Sequence, residues 1–464
     1  MKKHFAGLIA PLLILFGSVR ADVRLPLIIS DNMVMQCDMR VPVWGTAAPA
    51  EKVTVTIGGQ TRTAVADKDG RWTLKLDPEK AGGPFEMKVG GSNNLTVKNV
   101  LFGEVWHASG QSNMRFPLNK AASAAEDLPK ANCPDFRYFQ VDPWHANSGQ
   151  WVVCTPKSAG NFSAVAFYFA TALRERLNKP VGILDSSVSG AVVQTFLSPS
   201  ALAGDPPLAE TISHVKSDQE TSSNFNACIG PKLIPYAIRG VIWYQGEGNR
   251  DYPVSYQKMF PGLIADWRKL WGQGDFPFLF VQLANYGERR AQPYEGKDAA
   301  LRDAQFKSLA VPNTAMAVTI DCAPPVKSDV HYTNKKPVGQ RLALAARALA
   351  YGEKIEYSGP LFQSARFEGG KAIVTFTHIG SGLEMKGDKL TGFTLSAGPG
   401  KWVRADASIE GDHVIVHSGA VSMPVAVRYA FERNPECNLY NKEGLPASPF
   451  RSDEFVTFAT KDGE

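Results

Sequence analysis

The spacing of apolar residues changes character twice along the chain. Between residues 25 and 100 apolar positions alternate with polar ones in short runs. Val53, Val55 and Ile57 form one such set, Trp72, Leu74 and Leu76 a second, and Phe85, Met87 and Val89 a third. A period of two places each trio on one face of a strand. Turn signals separate the runs at Gly58-Gly59, Asp69-Gly70, Gly82-Gly83-Pro84 and Gly90-Gly91. Residues 22–100 are therefore read as an N-terminal β-sandwich domain.

From residue 101 to residue 352 wholly apolar runs alternate with stretches of helical period. Strands are predicted at 105–108, 181–185, 241–244, 278–283 and 315–320. The first helix presents Phe162, Val165, Ala166, Phe169, Leu173 and Leu177 on one face, with Asn161 as its cap and Lys179-Pro180 as its end. Further helices are predicted at 252–271, 298–309 and 336–351. Strands that are apolar on both faces and alternate with helices imply an α/β domain with a helix-covered parallel sheet. Short strands return at 372–377, 413–417 and 424–431, so residues 353–464 are read as a C-terminal β-rich domain. No internal repeat or low-complexity linker interrupts this order.

Residues 1–21 stand apart from all three regions. Lys2 and Lys3 precede an apolar run from residue 5 to 17, and Ser18-Val-Arg-Ala21 ends in a small residue. This is the pattern of a secretory signal peptide, and it predicts export to the periplasm or the extracellular space. A retained N-terminal anchor is the alternative. No other run is long and apolar enough to span a bilayer, so no stable membrane insertion is expected.

The whole chain carries a formal charge of +5, of which Lys2, Lys3 and Arg20 supply +3, leaving 5 − 3 = +2 for the rest. A near-neutral surface gives no reason to expect nucleic acid as a partner. Cys37, Cys133, Cys154, Cys228, Cys322 and Cys437 are scattered without a CxxC pair. Neither a structural zinc site nor a thioredoxin-like motif is indicated. Buried free thiols are expected, although an oxidising compartment permits disulfides.

Four polar segments sit at the ends of the predicted parallel strands. They are Gly110-Gln-Ser-Asn-Met114, Asp185-Ser-Ser-Val-Ser-Gly-Ala191, Trp243-Tyr-Gln-Gly-Glu-Gly-Asn249 and Ser328-Asp-Val-His-Tyr332. Open α/β sheets place their chemistry at this edge. Ser112 is a candidate nucleophile, but a neutral hydroxyl needs a base, and His331 can accept its proton near neutral pH. Attack on an ester carbonyl creates an oxyanion that needs preplaced donors. The Ser112 N–H, the Gly190 N–H and the Gln245 side-chain amide are candidates for that hole. The acid that orients His331 is either Asp329, two residues before it in an extended loop, or Glu247 on the neighbouring strand end. Each of these residues also has an ordinary structural reading, as a cap, a turn or a solvated loop. Only their coincidence at one sheet edge points to ester hydrolysis.

Other catalytic signatures are missing. There is no G-x-S-x-G elbow, H-E-x-x-H, P-loop or dinucleotide-binding glycine fingerprint, and no metal-ligand spacing. Neither a cofactor nor a metal is expected. Trp106, Trp243, Tyr244 and Tyr286 could stack on sugar or fill the core.

Taken together, Gly103-Glu-Val-Trp106 with Gly110-Gln-Ser-Asn-Met114, Gly240-Val-Ile-Trp-Tyr-Gln-Gly-Glu247 and Asp329-Val-His331 resemble the sialate O-acetylesterase family, a branch of the SGNH hydrolases. The resemblance extends to Asp31-Asn-Met-Val-Met-Gln36 and Val41-Pro-Val-Trp-Gly45 near the start. It also takes in Asn438-Leu-Tyr-Asn-Lys-Glu-Gly-Leu-Pro-Ala-Ser-Pro-Phe-Arg451 near the end. It implies a three-layer α/β/α catalytic domain over residues 101–352 and metal-free removal of acetyl groups from sugar hydroxyls, typically on O-acetylated sialic acids. By motif, Ser112 is the nucleophile, His331 the base, and Gln245 takes the place of the oxyanion-hole asparagine of other SGNH enzymes. The chain departs from the family pattern at Ser189-Gly190, where Gly-Gly is usual, at Gly248, where serine is common, and at Arg115, where an acidic residue is usual. Acetylated xylan is the alternative substrate, and a carbohydrate-binding protein without catalysis is the alternative of another class.

Overall fold

The computed structural model describes residues 22–143, 145, 149–324 and 327–454. The segment read as a signal peptide lies outside the described residues. At the centre is one long strand, Asn94–Gly110. Its first half is antiparallel to Gly82–Gly90, which pairs Lys52–Ile57, itself paired to Gln60–Val65. Its second half enters the central sheet between Val181–Asp185 and Gly240–Tyr244, both parallel to it. The strand passes residue 100 without a break, so the two sheets share it.

Across the central sheet the order is Thr314–Ala317, Phe278–Val281, Gly240–Tyr244, Asn94–Gly110, Val181–Asp185, Cys133–Gln140 and Trp151–Cys154. Every neighbouring pair is parallel except the last, an antiparallel edge. Adjacent residues of a strand point to opposite faces. Trp106 accordingly packs edge-on against Phe169 of the Ala164–Leu177 helix, while His107 stacks on Trp267 of the Pro253–Trp271 helix. Helices therefore cover both faces, giving the three-layer α/β/α arrangement. Helix Lys336–Leu349 packs beside Ala164–Leu177, and Lys297–Lys307 beside Pro253–Trp271.

The first of these helices begins later than its sequence suggests. Asn161 closes a short 3-10 turn, and Ser163 is the N-cap, its hydroxyl accepting from the Ala166 N–H. Asn178, in the left-handed conformation, ends it.

Among the described residues the C-terminal strands form two four-stranded antiparallel sheets and one antiparallel pair, Leu383–Met385 with Leu439–Asn441, and Ala372, Val374, Leu395, Val414, Val416 and Val427 are buried in their common core. Arg302 fastens this unit to the central sheet from a fully buried position. It donates to the carbonyls of Leu283 and Ala284 on one side and of Glu432 and Arg433 on the other. At the other flank Glu104 on the central strand is paired with Arg239 and Lys179, and Lys179 also reaches Asp38. A buried carboxylate held by two cations is the satisfied form such a group requires. Among the described residues no helix is long and apolar enough to cross a membrane.

Candidate active site

The central strand ends at Gly110, opposite Tyr244 on the next strand. Gly110 has φ +130°, and a Cβ there would lie 2.1 Å from the Tyr244 carbonyl, so the strand can turn here only with glycine. The Gln111 N–H then donates to that same carbonyl at 2.9 Å, and the short helical turn Ser112–Arg115 follows. A chain of three hydrogen bonds holds the turn. Ser163 Oγ donates to the Met114 carbonyl at 2.5 Å, Tyr138 OH accepts from the Ser163 N–H, and the same hydroxyl donates to Asp185 at 2.5 Å. Arg115 reaches the Ser187 carbonyl at 2.7 Å. Arg115 thus anchors the adjoining loop to the turn.

Ser112 Oγ and His331 Nε2 are 2.8 Å apart, although 219 positions separate them in the chain. That is hydrogen-bond distance for a nucleophile and its base. His331 is solvent-exposed, on the loop that leads into the Lys336–Leu349 helix. Asp329 accepts from the backbone N–H of His331 at 3.0 Å. Among the described residues no hydrogen bond joins the His331 Nδ1 to either carboxylate. Glu247 Oε1 instead accepts from Asn113 Nδ2 at 2.5 Å, and its buried Oε2 has no partner. Burial pushes the Glu247 carboxyl above its ordinary range.

Gly190 lies on the loop after Val181–Asp185, with φ +76° and open space where a Cβ would project. Its carbonyl accepts from Gln219. Asp185 shapes this loop, accepting from both the N–H and the hydroxyl of Ser187. Gln245 differs from the expectation for it. It is fully buried, and its amide nitrogen donates to the Ala191 carbonyl at 3.1 Å and to Asn249 Oδ1 at 2.7 Å. An amide nitrogen has two hydrogens, and both are engaged within the protein. Gln245 therefore braces the Gly190–Ala191 loop instead of offering a free donor. Gly248, one residue past Glu247, would place a Cβ 3.0 Å from the Ala191 carbonyl, so the same loop packs tightly on this side.

Two buried groups were not singled out from the sequence. Lys335 donates from Nζ to Asn113 Oδ1 at 2.5 Å and lies 3.6 Å from the centre of the Tyr332 ring. Its sequence, Lys335-Lys336, carries no signal of burial. His107 hydrogen-bonds Ser186 at 2.7 Å deep in the sheet, and burial holds its pKa down at about 3. It is a neutral core histidine. Of the aromatic candidates, Trp106, Trp243 and Tyr244 are fully buried and belong to the core.

The family described as carbohydrate esterase, sialic acid-specific acetylesterase, matches residues 103–348. Human sialate O-acetylesterase is 31% identical over 98% of this chain and 97% of its own length. The mouse sialate O-acetylesterase is 31% identical over 91% of this chain and 93% of its own. Among solved structures, a carbohydrate acetylesterase from Xanthomonas citri superposes with a TM-score of 0.85 at 39% identity. That match covers 93% of this chain and all of the other.

Proposed function

The chain belongs to the sialate O-acetylesterase family and is a carboxylic ester hydrolase of the carbohydrate acetylesterase type, and from that premise we propose that it removes O-acetyl groups from sialic acids through an acetyl-serine intermediate. The observation that carries the reading is the 2.8 Å contact of Ser112 Oγ with His331 Nε2 at the carboxyl edge of the parallel strands. In the first step Ser112 Oγ bonds to the acetyl carbon as its proton passes to His331 Nε2. The carbonyl oxygen becomes an oxyanion, for which the N–H groups of Ser112 and Gly190 are the proposed donors. Gln245 supports that hole by holding the loop of Gly190. Collapse breaks the bond to the sugar oxygen, which leaves with the proton from His331. Water then attacks the acetyl-serine with His331 as base, and acetate departs.

Asp329 is proposed as the acid that fixes His331, since it already holds the backbone N–H of that residue. Asp329→Ala is expected to lower kcat more than Glu247→Gln does. The reverse ranking reassigns the orienting role to Glu247. Export to the periplasm or outside the cell is part of the same proposal and rests on the character of residues 1–21.

The substrate test measures acetate release from O-acetylated sialic acid and from acetylated xylan by the full protein and by Ser112→Ala. Release from the sialic acid, lost in the variant, is expected. Release from xylan alone would reassign the sugar. Equal inactivity of both proteins on every ester, with glycan binding retained, would replace catalysis by binding.

A further inference from the structure

Asn113 follows Ser112 in the same short turn and is buried, and its carboxamide is engaged at both ends. Nδ2 donates to the Val330 carbonyl at 2.9 Å and to Glu247 Oε1 at 2.5 Å, while Oδ1 accepts from Lys335 Nζ at 2.5 Å. A backbone carbonyl can only accept, so the Val330 contact alone decides which end of the amide is nitrogen. Val330 is the residue immediately before His331. One planar group therefore joins the turn bearing the proposed nucleophile to the loop bearing its proposed base. Glu247 and Lys335 flank that plane, each hydrogen-bonded to Asn113.

We propose that Asn113, clamped between Lys335 and Glu247, is a positioning residue that sets the separation of Ser112 and His331. The inference rests on the roles given to those two residues under the proposed function. Nucleophile and base sit on segments more than two hundred residues apart, and the His331 loop is exposed. A pair placed this way needs a local tie, because proton transfer falls off steeply once its hydrogen bond lengthens. The clamp also explains the chemistry of Glu247. Its contact needs an acceptor oxygen facing Asn113 Nδ2, which a glutamine supplies as well as a carboxylate does. A charge acting directly on imidazolium could not be replaced in this way.

The test is steady-state hydrolysis of p-nitrophenyl acetate by full-length wild type, Ser112→Ala, His331→Ala, Asn113→Ala, Glu247→Gln and Glu247→Ala, with thermal melts to identify folded variants. Asn113→Ala is expected to lose roughly 10- to 100-fold in kcat with KM within about threefold of wild type. Glu247→Gln is expected to stay within about threefold of wild type, whereas Glu247→Ala falls toward Asn113→Ala. A double Asn113→Ala, Glu247→Ala variant loses no more than Asn113→Ala alone, because both act through one contact. The inference is overturned if Asn113→Ala keeps its kcat, or if Glu247→Gln is as impaired as Glu247→Ala. Should Asn113→Ala not fold, the two Glu247 variants still decide. Loss of turnover in Ser112→Ala and His331→Ala beside an active Asn113→Ala refutes this inference only. An active Ser112→Ala refutes the reading beneath it.

Discussion

Lys335→Met removes an ionisable amine from the inner wall of the site, and its consequence depends on pH in a way the structure specifies. The ammonium sits 3.6 Å from the centre of the Tyr332 ring, with Phe116 and Tyr244 at 5.1 and 5.5 Å. Burial among these rings lowers its pKa from 10.5 to about 7, against the opposing pull of Glu247. Between pH 7 and 10.5 the unfolded chain therefore binds a proton here that the folded chain does not. Stability contributed by this residue rises with pH across that window, by at most about 1.4 kcal/mol per unit. Below pH 7 both states hold the proton and the slope vanishes. From pH 7 to pH 9 the wild type should gain roughly 2–3 kcal/mol relative to Lys335→Met. Methionine also strips Asn113 Oδ1 of its donor, at about 1–3 kcal/mol, but that cost does not vary with pH and cancels from the comparison. Of the other groups facing Lys335, Cys322 is pushed up to about 12, and Tyr332 and Tyr244 lie well above their usual range, so none titrates in this interval. Glu247 and Asp329 are the carboxylates that face it. Urea unfolding of both proteins at pH 7, 8 and 9 supplies the difference directly. A wild-type advantage that stays flat over those two units would show that Lys335 keeps an ordinary pKa, and the reasoning would fail.

Two further predictions concern how the site is held. Tyr138→Phe leaves the Asp185 carboxylate and the Ser163 N–H without the hydroxyl that joins them, deep in the sheet. A loss of about 1–3 kcal/mol is expected by denaturant titration, and an unchanged midpoint would refute the bracing role of this chain of bonds. Gly339→Ala puts a Cβ 2.6 Å from both the Tyr168 Cβ and the Val165 carbonyl, where the Ala164–Leu177 and Lys336–Leu349 helices touch. Alanine favours helix by about 1 kcal/mol, yet overpacking at such a contact costs about 1–3 kcal/mol. A lower melting temperature is expected, and a higher one would mean that the helices part freely.

Much of the framework was legible from the apolar pattern. Val181–Asp185, buried throughout, and His413–His417, in which buried Val414 and Val416 alternate with more exposed residues, both occupy the residues their pattern predicts. The strand Cys133–Gln140 was not read, since Pro134, Asp135 and Arg137 interrupt its apolar text. Arg137 is nevertheless buried, its guanidinium donating to the carbonyls of Pro134 and Asn32. Local pattern cannot reveal partners that come from elsewhere in the chain. The same limit explains the helix start. Asn161 and Ser163 are both competent caps, and the adjoining 3-10 turn decides between them. At the site, residue types at strand ends were readable, and Ser112 and His331 do meet. The direction of a buried side chain was not readable, which is why Gln245 and Lys335 hold places their sequence does not suggest.

The braces beneath this edge are mostly neutral amides, and their chemistry accounts for the choice. Gln111 Oε1 accepts from the N–H groups of Gly246 and Gly248 at 3.3 Å. Asn249 accepts from Val193 N–H and donates to Gln194, while Gln305 donates to the carbonyl of Gln245. Each loop leaving the sheet exposes backbone groups that lie out of water and must find partners. A carboxylate or ammonium could serve as acceptor or donor, but it would add a charge in a poorly screened region beside an ionising histidine. An amide supplies both a donor and an acceptor from one planar group, with no net charge. It can thus tie separate elements together, as Gln245 ties the Ala191 loop to Tyr256 of the Pro253–Trp271 helix, and Asn113 ties the Ser112–Arg115 turn to Val330 and Lys335 of the His331 loop. The glutamines and asparagines of the strand-end motifs are, on this reasoning, required for placement of the reacting groups more than for contact with the ester.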